Sequence, residues 1–276
     1  MVVGLLMVGG GAAAGLFGSL LGLGGGVLLV PLLTLGFGLP LREAVGVSLV
    51  AVIMTSGAAA GVYLERHIAN LRLGMSLELF TALGALVGGT IAFALDVRLL
   101  EALFAGLMFY VAITMLRRGM SEEAPAEEVP EPAAPPEPTG RGGTMLERLS
   151  GEGYRVRRPV LGVVGATFAG IVSALLGIGG GIVKVPLMNV GMGVPLRIAT
   201  ATSNLMIGIT AAASAIIYLL RGEIDPYVAA PTAIGVFIGA SVGSRLGHRV
   251  DLRVLRWLFV LVLLYTAVQM LMKAIS

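Results

Sequence analysis

Cysteine is absent from this chain, and only two histidines are present. Thiolate metal centres, iron–sulfur clusters and disulfide-relay chemistry are thereby excluded, while the redox compartment stays open. Charge is scarce as well. Asp, Glu, Lys and Arg make up 13% of the 276 residues, about half the share of a typical soluble domain. Residues 117–158 hold 7 of the 19 basic and 8 of the 16 acidic side chains, so the rest is nearly uncharged. A formal charge of +3 and a pI near 9.5 do not signal nucleic acid, because the arginines sit between apolar runs and report orientation in a membrane. Alternating ten-residue segments are missing, which excludes a β-barrel. An intramembrane protease would need a Ser/His pair or two aspartates within spans, and no His or Asp falls in one. The first apolar run lacks a basic start and a small-residue cleavage site, so it reads as mature structure.

What is present is apolar: 57% of the residues, with a mean hydropathy of +0.94. Long apolar runs cover 1–39, 44–64, 73–95 and 99–116, then 159–192, 198–220, 226–244 and 254–272. A helix needs about 20 such residues to cross a bilayer, which makes the chain an all-α integral membrane protein. It is also duplicated. A shift of 155 positions lays the sequence on itself without a gap from about Ala14 to Leu116, with roughly a third of the aligned residues identical. Gly15 falls on Gly170, Pro31 on Pro186, Arg42 on Arg197, Ser48 on Ser203, Tyr63 on Tyr218 and Arg66 on Arg221. The expected organisation is a first membrane repeat over 1–118, a disordered Pro/Glu-rich linker over 119–158 and a second repeat over 159–276.

The basic residues address topology. If the opening segment of each half crosses the membrane, both halves point the same way and the charges divide poorly between faces. If it dips in and returns, each half is a Gly-broken re-entrant helical hairpin plus three transmembrane helices, and the second repeat is inverted. One face then carries Arg66, Arg72, the seven arginines of 117–158, Arg197, Arg245, Arg249, Arg253 and Arg256. The other carries Arg42, Arg98, Arg221 and Lys273. Fourteen against four is the bias of a cytoplasmic face. The inverted arrangement is therefore expected, with the linker cytoplasmic and both termini extracytoplasmic.

The most specific motif is the pair of glycine clusters, GLFGSLLGLGGGVLLVPLLTLG at 15–36 and GIVSALLGIGGGIVKVPLMNVG at 170–191. A dinucleotide loop would need a soluble strand before it, and both flanks here are membrane-apolar. Three consecutive glycines break a helix. This G-x-G-G-G-x-x-x-x-P element, present in both halves, resembles the TauE/SafE family of sulfite and organosulfonate exporters, and the resemblance covers all but the linker. It implies a secondary transporter of the bacterial inner membrane that moves sulfite, sulfoacetate or related organosulfonates, with export coupled to protons by alternating access around the two broken helices. An anion channel and a non-transport membrane assembly protein stay open as alternatives.

The candidate anion-binding residues are Gly24, Gly25 and Gly26 with Gly179, Gly180 and Gly181. A half-helix starting there offers unpaired N–H groups and a positive dipole end, although spaced glycines can also serve packing alone. Lys184 is the one basic residue inside such a segment. It is a direct substrate contact, or it snorkels, or it pairs with Glu78, the candidate proton site. Thr200, Ser203, Thr210 and Ser214 form a polar stripe echoed by Ser48 and Thr55. Asn204 lies beside it and Asn189 in the second half-helix. Ser48, Ser203, Asn204 and Asn189 are the further candidates to bind the anion along its pathway, though such hydroxyls often bond their own backbone. Tyr63, Tyr110, Tyr218 and Tyr265 are expected as interfacial anchors, and Asp96 and Asp251 as helix caps. His67 and His248 are expected in solvated loops. The expected partners are a small anion and the lipid bilayer, with no cofactor, metal or nucleic acid.

Overall fold

The structure, a computed structural model, describes residues 2–20, 25–65, 69–120, 150, 154, 156–246 and 252–275. Every regular element among them is helical. The first half contains α1 (Val2–Leu20), α2 (Gly26–Pro31), α3 (Leu41–Glu65), α4 (Leu71–Ala94) and α5 (Val97–Met120). The second contains α6 (Pro159–Leu176), α7 (Gly181–Pro186), α8 (Leu196–Leu220), α9 (Pro226–Leu246) and α10 (Leu252–Ile275). The two short helices, α2 and α7, each widen after their proline into a π turn, Leu32–Gly36 and Leu187–Gly191, where proline lacks the N–H that the α ladder needs. Local sequence sets the boundaries. Asn70 caps α4, its side chain accepting from Leu73 N at 3.0 Å. Asp96 accepts from Arg98 N at the start of α5, as expected of it; Asp251 lies outside the described residues. Gly177, at φ 68°, ends α6 in a left-handed cap.

Among the described residues, eight helices are long and apolar enough to cross a membrane, two more than the six complete spans expected. The difference lies in where the glycines break the chain. They fall after the opening helix and leave α1 and α6 at 19 and 18 residues, about 28 Å of helix each. The short helix then runs back alongside the long one. A Cβ at Gly25 would lie 3.7 Å from the Ala14 carbonyl, and one at Gly10 would lie 2.9 Å from Leu32. In the second half Gly180 faces Ala169 and Gly165 faces Leu187 in the same order.

Packing between the halves follows the duplication. α1 lies on α9 and, equivalently, α6 lies on α4; α3 lies on α8, and α5 on α10. The α1–α9 contact is backbone on backbone: a Cβ at Gly239 would overlap the Ala12 carbonyl oxygen, and one at Gly235 the Val8 oxygen. Gly84 against Thr167 and Gly88 against Ile171 repeat this between α4 and α6. Glycines four apart let membrane helices approach this closely. The residue pairing makes α1 and α9 parallel and α4 and α6 parallel. The equivalent helices α3 and α8 run antiparallel: Gly46 meets Glu223, while Ser56 donates to the Asn204 carbonyl and accepts from Gly208 N at 2.9 Å. Lys273, near the end of α10, bridges to Glu101, near the start of α5, at 3.0 Å.

Most of the expected linker lies outside the described residues, as do His67 and His248. Its described end packs on the bundle. The Tyr154 hydroxyl accepts from the Asn70 side chain at 2.6 Å, Val156 is buried, and Arg157 N donates to the Met192 carbonyl. The tyrosine expectation needs correcting. Tyr218 is fully buried; its hydroxyl donates to the Ala174 carbonyl at 3.0 Å and its ring tilts onto Phe93. Tyr110 and Tyr265 are exposed at mid-helix in α5 and α10, not at span ends. The side chain of Tyr63 lies outside the described residues.

Candidate functional site

The glycine clusters, α3 and α8 meet in the middle of the bundle. Gly24 lies outside the described residues. Gly26 sits against Gly177 of the other half and against Ser48: a Cβ there would come 2.7 Å from the Gly177 carbonyl and 3.1 Å from Ser48 Oγ. Ser48 donates to the Gly177 carbonyl at 2.7 Å and so ties the first half's helix to the second half's loop. Gly179 and Gly181 pack on Ile207, and Ser203 Oγ lies 3.7 Å from where a Gly181 Cβ would be. Gly180 has φ 76°, a backbone conformation that side chains with a Cβ rarely adopt. A Cβ there would stand 3.1 Å from the Ala169 carbonyl, 3.3 Å from Ser173 Cβ and 3.5 Å from Lys184 Cε.

Each half adds one charge to this framework. Lys184, one turn into α7, is 1% exposed, and its ammonium donates to Glu78 Oε2 at 3.2 Å and to Thr210 Oγ1 at 2.5 Å. Glu78 of α4 is 3% exposed, and its other oxygen is 2.6 Å from the Thr210 hydroxyl. Three helices from both halves thus contribute to one closed triangle. Its depth follows from register. Asn70 N bonds Thr202 Oγ1, so α4 and α8 descend side by side, and eight residues further on Glu78 meets Thr210. Thr210 is the fifteenth of the 25 residues of α8, close to mid-helix. Burial of an unpaired charge is costly, and only a close, hydrogen-bonded partner offsets it. Glu78 and Thr210 together are that partner.

Two further hydroxyls border the site. Ser173 Oγ and Ser203 Oγ are buried and have no hydrogen-bond partner. Neighbouring hydroxyls behave otherwise: Thr81, Thr167, Thr200 and Ser214 each donate to the carbonyl four residues back, the usual habit in membrane helices. Of the polar stripe, Thr200 and Ser214 are therefore backbone-bonded, while Thr210 and Ser203 face the site. Asn189 does not join it; its amide donates to the Val194 carbonyl at 3.0 Å and closes the chain after the π turn. Asn204 reaches α3 through its backbone carbonyl. Sequence reading missed Ser173, whose repeat mate is Gly18; a hydroxyl gained in one half just ahead of the glycine cluster was the available signal.

The repeat mates of Lys184, Thr210 and Glu78 are Leu29, Thr55 and Ala233. Leu29 is fully buried, and Thr55 donates to the Val52 carbonyl. The related set of positions thus holds no charge. No group of His, Cys, Asp and Glu able to hold a metal occurs among the described residues. Behind α7, an apolar groove of about 620 Å³ is lined by Leu103, Tyr110, Phe168, Val172, Ile182 and Pro186, among others; it offers an anion nothing.

The family described as "Sulfite exporter TauE/SafE" matches residues 7–270. Among curated proteins, the chain is 22% identical to "Probable membrane transporter protein YunE" of Bacillus subtilis over 96% of each chain. It is 25% identical to "Probable membrane transporter protein YdhB" of the same organism over 84% of this chain and 85% of that one. It is also 26% identical to "Probable membrane transporter protein MJ0441" of Methanocaldococcus jannaschii, covering 88% and 85%. No solved structure matches.

Proposed function

The chain belongs to the TauE/SafE family, and on that premise we propose that it is a secondary transporter of small anions such as sulfite, sulfoacetate and related organosulfonates. Their movement across the inner membrane is coupled to protons. The observation that carries this reading is the closed Lys184–Glu78–Thr210 triangle at mid-depth, bordered by glycine turns and two unpartnered hydroxyls. A cation at that depth, with its counter-ion on another helix, is a device for binding an anion in a low-dielectric interior. Its closure favours a carrier over a channel: exposures of 1% and 3% at Lys184 and Glu78 describe an occluded site, whereas a pore keeps its charges wet.

The architecture proposed with it is a pair of inverted repeats. The antiparallel run of equivalent helices α3 and α8 supports an axis across the helices, and the return of α2 along α1 and of α7 along α6 supports two re-entrant hairpins. Inverted repeats with broken helices bind substrate near the midplane and alternate access by moving one half against the other. The 14-to-4 division of basic residues favours a cytoplasmic linker and extracytoplasmic termini. The test is a flux panel in proteoliposomes with sulfite, sulfoacetate, thiosulfate, sulfate and chloride under an imposed pH gradient. Saturable, gradient-driven movement of sulfur oxyanions is expected. Non-saturating chloride flux would point to a channel, and no flux of any anion would sink the reading.

A further inference from the structure

We infer that Lys184 holds the Glu78 carboxylate and a monovalent oxyanion in alternation, so that each anion bound puts one proton on Glu78. The inference rests on the transport reading above and supplies its coupling step. Lys184 is the one buried cation among the described residues, and it is occupied by Glu78 Oε2 and Thr210. An anion that arrives while Glu78 is ionised finds two negative charges on one positive charge in a closed apolar interior. That state is electrostatically forbidden in practice, because the surplus charge has no partner and no water. If Glu78 takes up a proton, the site stays neutral throughout: carboxylate plus ammonium before, carboxylic acid plus ammonium plus monoanion after. The balance is one proton and one anion entering, with Lys184 an ammonium in both states and no covalent bond made or broken except the carboxyl O–H. The protonated carboxyl keeps a donor for hydrogen bonding.

Two observations beyond the ion pair point to an oxyanion. Ser173 Oγ and Ser203 Oγ are buried and unpartnered where other hydroxyls of these helices bond their own backbone. They border the same turn: Ser173 Cβ and Lys184 Cε lie 3.3 and 3.5 Å from the Gly180 Cβ position, and Ser203 Oγ lies 3.7 Å from that of Gly181. Two free donors and one ammonium suit the several oxygens of a sulfonate or hydrogen sulfite. Their single positive charge favours a monoanion over a dianion such as sulfate or sulfoacetate, which narrows the substrates proposed above to hydrogen sulfite and singly charged sulfonates. Leu29 and Ala233 at the related positions make the ratio one proton and one anion per cycle, not two. The groups around Glu78 leave it alone to titrate. α7 contributes Lys184, and α6 has no ionisable side chain. α8 has Arg197 in its first turn and Tyr218, whose hydroxyl is given to Ala174. α4 itself otherwise carries Arg72 in its first turn.

The test measures proton uptake on anion binding by the purified full chain in lightly buffered detergent with a pH indicator, using sodium methanesulfonate and sodium sulfate as probes. The parent should take up about one proton per methanesulfonate bound, bind more weakly as pH rises, and bind sulfate at least tenfold more weakly. Glu78→Gln fixes the carboxyl in a neutral form. It should bind methanesulfonate without proton uptake and without pH dependence; in liposomes it should exchange the anion but not accumulate it when a pH gradient is imposed. Ser173→Ala with Ser203→Ala should lower affinity about tenfold and leave the proton ratio at one, a split that a merely structural role would not give. Proton uptake unchanged in Glu78→Gln, or a parent that moves anions with no proton uptake, overturns this inference alone. A parent that neither binds nor transports any anion overturns it together with the transport reading. Should Glu78→Gln fail to fold, the parent's ratio and the serine pair still decide.

Discussion

Lys184→Met is the most informative single change for stability, because the structure fixes what it leaves behind. The Glu78 carboxylate, 3% exposed, would keep the Thr210 hydroxyl on one oxygen and lose its only cation on the other. Removal of one partner from a buried pair costs about 3–5 kcal/mol, a factor of roughly 10² to 10⁴ in the folding equilibrium. Glu78→Leu alone strands the ammonium and costs a similar amount. The pair Lys184→Met with Glu78→Leu removes both charges, and Thr210 is not orphaned because its hydroxyl also lies 3.1 Å from the Met206 carbonyl. The double variant should therefore unfold within about 1–2 kcal/mol of the parent, since apolar replacement of a whole buried pair is often neutral. Equilibrium unfolding in mixed detergent micelles measures all four species and yields a coupling energy of several kcal/mol. A coupling below about 1 kcal/mol, with the two single losses simply adding, would refute the claim that these groups form one unit. The double variant should also be inactive in transport, which separates stability from function.

Other perturbations test the frame around the site. Single cysteines at Ser276 and Ser121, in a chain with none of its own, should label from opposite faces of intact cells; labelling from one face would overturn the inverted topology. Replacement of 121–140 by a Gly/Ser segment of similar reach should leave transport near the parental rate, measured in the same liposome flux assay, with normal insertion as the control. Gly180→Val places a β-branched side chain at φ 76°, 3.5 Å or less from Ala169, Ser173 and Lys184. Anion binding should be lost, with a backbone strain of about 1–3 kcal/mol, and Gly180→Ala should retain more of it. Gly239→Leu, on the α1–α9 contact, should instead lower the unfolding midpoint, because its Cβ would overlap the Ala12 carbonyl; an unchanged midpoint would mean that this close approach is not needed.

The bundle was legible because apolar length and duplication are one-dimensional signals. The runs around α3 to α5 and α8 to α10 each became a long helix, and the shift of 155 residues relates helices that the structure packs in equivalent pairs. The opening segments were harder. A triple glycine announces a break but not on which side of it the long helix lies, and α1 proved to be a full-length helix with the short one after it. The Lys184–Glu78 contact was legible as one of three readings, since two opposite charges in a nearly charge-free interior have few other partners. Thr210 as their third member was not, because its place depends on the register of α4 against α8, set by Asn70 on Thr202. Tyr218 was misread for a similar reason. Its repeat mate sits near a helix end, and only the stacking on Phe93 beside Arg42 and Arg221 turns that end inward.

Glycines carry two separate tasks in this chain, and the distinction bears on how a symmetric scaffold yields an asymmetric site. The spaced glycines Gly15, Gly84 and Gly88 recur as Gly170, Gly239 and Gly243, and both sets bring helices of opposite halves into backbone contact. The consecutive glycines recur too and turn the chain in both halves. What differs between the halves is confined to side chains around those turns: Lys184 for Leu29, Glu78 for Ala233, Ser173 for Gly18. A mechanism that exchanges the conformations of two repeats needs their helix contacts to match, because each half must adopt the other's packing. It does not need the binding groups to match. A second charged triangle would add a second buried pair whose desolvation cost is independent of the first, and it would double the charge to be neutralised in each transit. Retention of the glycine contacts in both halves with a single ion pair meets both demands. Charge added at Leu29 and Ala233 should therefore impair transport more than loss of one contact glycine on either side.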